Sequence, residues 1–152
     1  MTGERQAGAR RIGDFAGVWL LEREVEDRRA GQVARFEGRA ELMPQGAGRW
    51  LWQESGLLRF GAAAPVRAER RYLWQEQGEA IAVLFDDGRF FHAFDPDQGA
   101  PVAAHFCDPD QYDARYDLAN WPRWRVTWEV RGPRKDYRMV TDCRRDPAET
   151  RP

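Results

Sequence analysis

Along most of the chain apolar and polar residues alternate with period two, in short runs that end at glycine, proline or aspartate. That period belongs to half-buried β-strands, whose successive side chains point to opposite faces. The runs cover residues 15–26, 33–43, 48–55, 57–62, 66–76, 80–85, 88–94, 101–107, 112–118, 123–130 and 136–144. In 123–130, Trp124, Val126, Trp128 and Val130 hold one parity, while Arg123, Arg125 and Glu129 hold the other. No run keeps a helical period for three turns, so helix is confined to one turn near Arg10–Phe15. Residues 1–12 and 147–152 read as loose ends around a single domain spanning 13–146.

Many short strands joined by brief connections specify an all-β fold. The meander has no long crossover, which favours an antiparallel up-and-down β-barrel of about 8–10 strands over a sandwich. Closing the sheet also removes the exposed edges that so many strands would present. Composition agrees with a packed globule, at 42% hydrophobic and 12% aromatic. A formal charge of −1 argues against nucleic acid and anionic membrane as partners. The amino end lacks the apolar core of a secretion signal, and no apolar run is long enough to span a bilayer. Cys107 and Cys143 form no spaced framework, so two free thiols in a reducing cytoplasm are expected.

Of 24 basic residues, Lys135 alone is lysine. Such arginine usage carries the imprint of a GC-rich bacterial genome, and it singles out Lys135 as a compact cation that mutation pressure has not replaced.

Gly17-Val18-Trp19 follows the expected helical turn and resembles the opening of lipocalins and other calycins. The resemblance implies that the tryptophan plugs one barrel end beneath an arginine of the last strand, here Arg138 or Arg144. A wider series comprises "LWQESG", "RRYLW", "FDDGRFFHAF", "HFCDPDQYDARY" and "WEVRGPRKDYRM". Between Phe15 and Arg145 it resembles an uncharacterised family of small bacterial and fungal proteins, a domain of unknown function with a GPRKDY motif. That resemblance implies a lipocalin-like barrel and brings no established activity.

Candidate chemistry gathers in the second half. If the runs ending at Phe94 and starting at Val102 form a hairpin with Asp95 opposite Val102, then His92 faces His105 and Phe90 faces Cys107. A slip of one residue would send the two histidines to opposite faces. Two facing imidazoles can line a pocket or serve as an acid/base pair near neutral pH. With Cys107 they are weak candidates for a metal site. Asp108-Pro109-Asp110 reads as a turn, not as a calcium loop, because it lacks the EF-hand glycine and glutamate. Tyr112 and Tyr116 share a parity and offer hydroxyls to a ligand or form an aromatic girdle.

Gly132-Pro133 marks a turn that brings Arg131, Arg134, Lys135 and Arg138 to one barrel end beside Tyr137. That cluster either receives an anion or pairs with neighbouring acids. Trp50, Trp52, Tyr72 and Trp74 form core or the apolar wall of a pocket.

The leading expectation is a barrel that binds one small molecule, partly aromatic or apolar with an anionic or polar group, and needs no cofactor. His92, His105, Tyr112, Tyr116, Arg134, Lys135 and Tyr137 are its candidate ligand contacts. The alternative is a cofactor-independent isomerase, cyclase or lyase in the same cavity, with His92 or His105 as acid/base and Arg134 or Lys135 stabilising negative charge. A barrel used for partner binding, including a homodimer, is the third.

Overall fold

A computed structural model describes residues 11–150. Ten antiparallel strands form a nearly closed barrel: β1 (Gly17–Asp27), β2 (Gln32–Gly46), β3 (Arg49–Phe60), β4 (Val66–Gln77), β5 (Ala80–Phe85), β6 (Phe90–Phe94), β7 (Val102–Cys107), β8 (Asp110–Asp117), β9 (Trp124–Arg131) and β10 (Asp136–Arg145). The hydrogen-bonded order is β6-β5-β4-β3-β2-β1-β10-β9-β8-β7. This is the up-and-down arrangement that the alternating pattern specifies, with the first and last strands paired in mid-sheet.

The expected helical turn is a 3-10 turn at Ile12–Phe15, and both of these residues are buried. Ile12 therefore belongs to the packed domain and not to a loose end. The other residues of that end lie outside the described residues, Arg11 excepted. At the carboxyl end Pro147–Thr150 form a second 3-10 turn, and 151–152 lie outside the described residues.

The runs 48–55 and 57–62 turn out to be one strand. Gly56 reads in the sequence as a boundary, but it pairs with Gly38 inside a continuous β2–β3 ladder. A Cβ on Gly38 would run into the Ser55 carbonyl oxygen, and one on Gly56 into that of Glu37. The two backbones approach so closely that only glycine fits, and this lets the long strands curve around the barrel.

The hairpin register that set His92 against His105 does not form. Among the described residues no ladder joins β6 to β7, and His92 lies opposite Val83 while His105 lies opposite Tyr112. The backbone entering β7 is engaged elsewhere: Tyr116 N–H donates to the Pro101 carbonyl (2.9 Å) and Leu118 N–H to that of Gly99 (2.8 Å). A bulge after Val83 also leaves Phe91 as an extra residue between His92 and Phe90. The barrel seam is therefore filled by side chains. Phe91 meets the His105 ring at 5.2 Å, and Phe94 stacks on Tyr116 at 4.0 Å.

One barrel end is plugged. Phe15 packs edge-on against Trp74, Trp121, Trp124 and Phe94, with centroids 4.8–6.1 Å apart. Trp19 is fully buried, and its indole N–H donates to the Phe15 carbonyl (2.9 Å). The arginine above it is Arg145, not Arg138 or Arg144. Its guanidinium lies 3.8 Å from the Trp19 ring and donates to the carbonyls of Ala16 (2.6 Å) and Asp14 (2.7 Å). Parity explains the correction. Cys143 and Arg145 share the inward face of β10, whereas Arg138 and Arg144 point outward and are exposed.

Candidate functional site

The opposite end, where the turns 28–31, 61–65, 86–89, 108–109 and 132–135 lie, is hollow. A cavity of about 310 Å³ opens there, walled by Tyr72, Phe85, Phe91, Trp128, Val130 and Met139, with His105, Cys107, Tyr112, Tyr137 and Arg70 among its polar lining. Phe91 stacks nearly parallel on Trp128 (5.1 Å, 8°) and on Tyr72 (5.8 Å, 19°), which fixes the apolar wall. A second chamber of about 250 Å³ lies between Phe36, Leu58, Phe60, Ala68 and Met139, and Arg70 and Met139 border both chambers. Beneath them a narrow space of about 60 Å³ reaches down to His92, Tyr116 and Trp124.

A buried ion pair forms part of the floor. Arg23 grips Glu54 through two parallel bonds (2.9 and 3.0 Å) and donates from Nε to Thr141 Oγ1 (2.7 Å). The Trp52 indole N–H adds a third donor to Glu54 (2.9 Å). Burial alone would raise the Glu54 carboxyl pKa, but attraction to Arg23 and these hydrogen bonds hold it below its ordinary value. Every partner is satisfied, so the network works as a rigid wall.

The two histidines have separate environments. His92 is buried, with Nε2 hydrogen-bonded to Tyr116 Oη (2.7 Å) and Nδ1 without a partner. Burial, reinforced by the His105 charge, pushes its pKa down to about 3. It is a neutral imidazole at physiological pH, and burial raises the Tyr116 pKa as well. His105 is only half-buried and lines the open chamber, against Phe91 and Tyr112. The Phe91 ring contacts both imidazoles. Among the described residues no three His, Cys, Asp or Glu side chains gather as a metal site, so His92, His105 and Cys107 are not drawn together as ligands.

Lys135 stands on the chamber rim. Its ammonium donates to Tyr112 Oη (2.9 Å) and pairs with Asp110 (3.2 Å). Those two bonds raise its pKa, so it remains charged. The turn is built around this contact: Gly132 N–H donates to the Lys135 carbonyl (2.8 Å), and a Cβ on Gly132 would collide with the Asp110 carboxylate. Arg134 is exposed and lines none of these cavities. Asp136 and Glu129 are taken by Arg28 (2.9 and 3.0 Å).

Of the candidates read from sequence, His105, Tyr112, Tyr137 and Cys107 meet in the chamber, Lys135 supports it, His92 and Tyr116 lie below it, and Arg134 is apart. Sequence reasoning missed Arg70, Arg23 and Glu54. A signal was present, because each shares the parity of buried aromatic or aliphatic neighbours: Tyr72 and Trp74 with Arg70, Trp52 with Glu54, Trp19 and Leu21 with Arg23. A larger hollow of about 410 Å³ lies on the outer wall between β1, β9 and β10, but its lining is mostly polar, with Arg123, Arg125 and Arg144 set among Glu22, Asp117 and Asp142.

The profile of a family of unknown function, DUF6314, matches residues 15–145. The chain belongs to that family. No curated protein matches the sequence. Among solved structures, the barrel of this DUF6314 protein is similar to the S-type phycobiliprotein lyase CPES from Guillardia theta. The TM-score is 0.64 at 11% identity, covering 88% of this chain and 89% of the lyase. At that identity the likeness is one of fold. Among the described residues no helix is long and apolar enough to cross a membrane.

Proposed function

We propose that this DUF6314 barrel binds one small molecule in the open chamber, with the ligand's apolar or aromatic body against Phe91 and Trp128 and a polar or anionic group near Tyr112 and Tyr137. The observation that carries the reading is the contrast between a plugged end and an aromatic cavity of about 310 Å³, at the lower limit of sites that enclose a drug-sized ligand. The similar barrel of a phycobiliprotein lyase supports a fold able to present such a site, without fixing the ligand. Catalysis in the same chamber would fall to His105, since His92 is held neutral and already bonded to Tyr116.

Native mass spectrometry of freshly purified protein, compared with the denatured mass, tests the reading together with Cys107→Trp, which fills the mouth. The expected result is a mass excess, lost on denaturation and missing from Cys107→Trp. An excess that persists in the filled variant would move the ligand elsewhere. A bare mass, with no melting-temperature rise across a panel of aromatic acids and their esters, would overturn the reading.

A further inference from the structure

We infer that Arg70 is the anion anchor of the open chamber, and that the molecule bound there is an aromatic acid with its carboxylate on Arg70. The inference rests on the binding reading above and narrows its ligand class.

Three cations border the interior at this end, and two are neutralised. Arg23 is held by Glu54 at 2.9 Å and Lys135 by Asp110 at 3.2 Å. Arg70 has no carboxylate within ion-pair distance among the described residues, yet it borders all three interior spaces. Its place is set by the strand: Ala68, Arg70, Tyr72 and Trp74 share the inward parity of β4, while Arg67, Glu69 and Arg71 point outward. Arg70 is exposed at the mouth, and the acid whose charge it feels, Glu54, is already gripped by Arg23, so the mouth keeps a net positive charge.

The two chambers beside Arg70 are not equivalent. Glu54, on the inward face of β3, borders the smaller one and would repel an anion there. No carboxylate lines the aromatic one, where Tyr72 and Tyr137 stand beside Arg70. Burial raises the pKa of both tyrosines, so both hydroxyls stay protonated and able to donate. A carboxylate there meets a guanidinium fork, which binds it through two parallel bonds, while the ligand's apolar body covers Phe91 and Trp128.

Binding of 9-anthracenecarboxylic acid and of its methyl ester, followed by quenching of tryptophan fluorescence, tests the assignment. Wild type should bind the acid at least ten-fold more tightly than the ester. Arg70→Met should lose at least ten-fold for the acid while leaving the ester unchanged, and Arg70→Lys should fall between. Arg71→Met, on the outward face of the same strand, should match wild type for both. If the ester binds and the acid gains nothing over it, or if Arg70→Met keeps the wild-type preference, the chamber stands and the anchor falls. If neither compound binds, the anchor falls, and the chamber is judged by the native mass alone.

Discussion

The two ends of the barrel are built from the same residue types and put to opposite uses. At the plugged end Trp19, Phe15 and Trp121 interlock, and Arg145 spends its donors on the Ala16 and Asp14 carbonyls. At the open end Phe91, Trp128 and Tyr72 stack into a wall with space in front of it, and Arg70 has no acid. The difference lies in what surrounds each arginine. A guanidinium that satisfies backbone carbonyls closes a structure, and one left facing an aromatic hollow keeps a place for a ligand.

The contrast is broken most severely from the plugged side. Trp19→Ala removes a fully buried indole at the centre of that cluster and should cost about 3–5 kcal/mol, read by denaturant unfolding. A loss below about 1 kcal/mol would mean that the plug is not what holds this end.

Acid acts on the boundary between the two ends, at His92. Its folded pKa is depressed to about 3, below the ordinary 6.5, so the unfolded chain binds the proton more readily. Stability is therefore complete above about pH 6.5 and declines as pH falls towards about 3, by up to about 1.4 kcal/mol per pH unit. Glu54, also held below its ordinary value of 4.5, adds a loss that begins below that value and so overlaps the lower part of the same window. Between pH 7 and 5, His92→Phe should flatten the pH dependence of unfolding. An unchanged slope would place the proton uptake elsewhere.

The smallest effect belongs to the rim. Lys135→Arg should change stability by less than about 1 kcal/mol, because the ammonium and its Asp110 partner sit at a partly solvated surface. Calorimetry of that variant checks it. A larger loss would show that the contact with Tyr112 is needed to shape the mouth.

The fold was legible in the sequence because alternation is a property of single strands: the wall residues Trp124, Trp128 and Val130 are inward as their parity requires. What failed depended on pairing between strands. The expected facing of His92 and His105 assumed that neighbours in sequence pair in the sheet, whereas 99–101 bonds to β8 instead. Gly56 read as a break because its partner, Gly38, is not visible from either strand alone. Arg70 and Glu54 were hidden by their charge, since a charged residue is ordinarily assigned to the solvent side even where parity points inward.

The unpaired seam between β6 and β7 has a consequence for connectivity. Because β1 pairs with β10, the first and last strands meet in mid-sheet, joined also by Asp146 N–H donating to the Val18 carbonyl (3.3 Å). A circular permutant opened within 95–101 and linked from β10 to β1 would run from β7 through β10 and β1 to β6. Every ladder of the sheet would then link strands adjacent in the chain. The pairing that now spans most of the sequence would become a local hairpin, and low contact order is the condition under which β-proteins fold fastest.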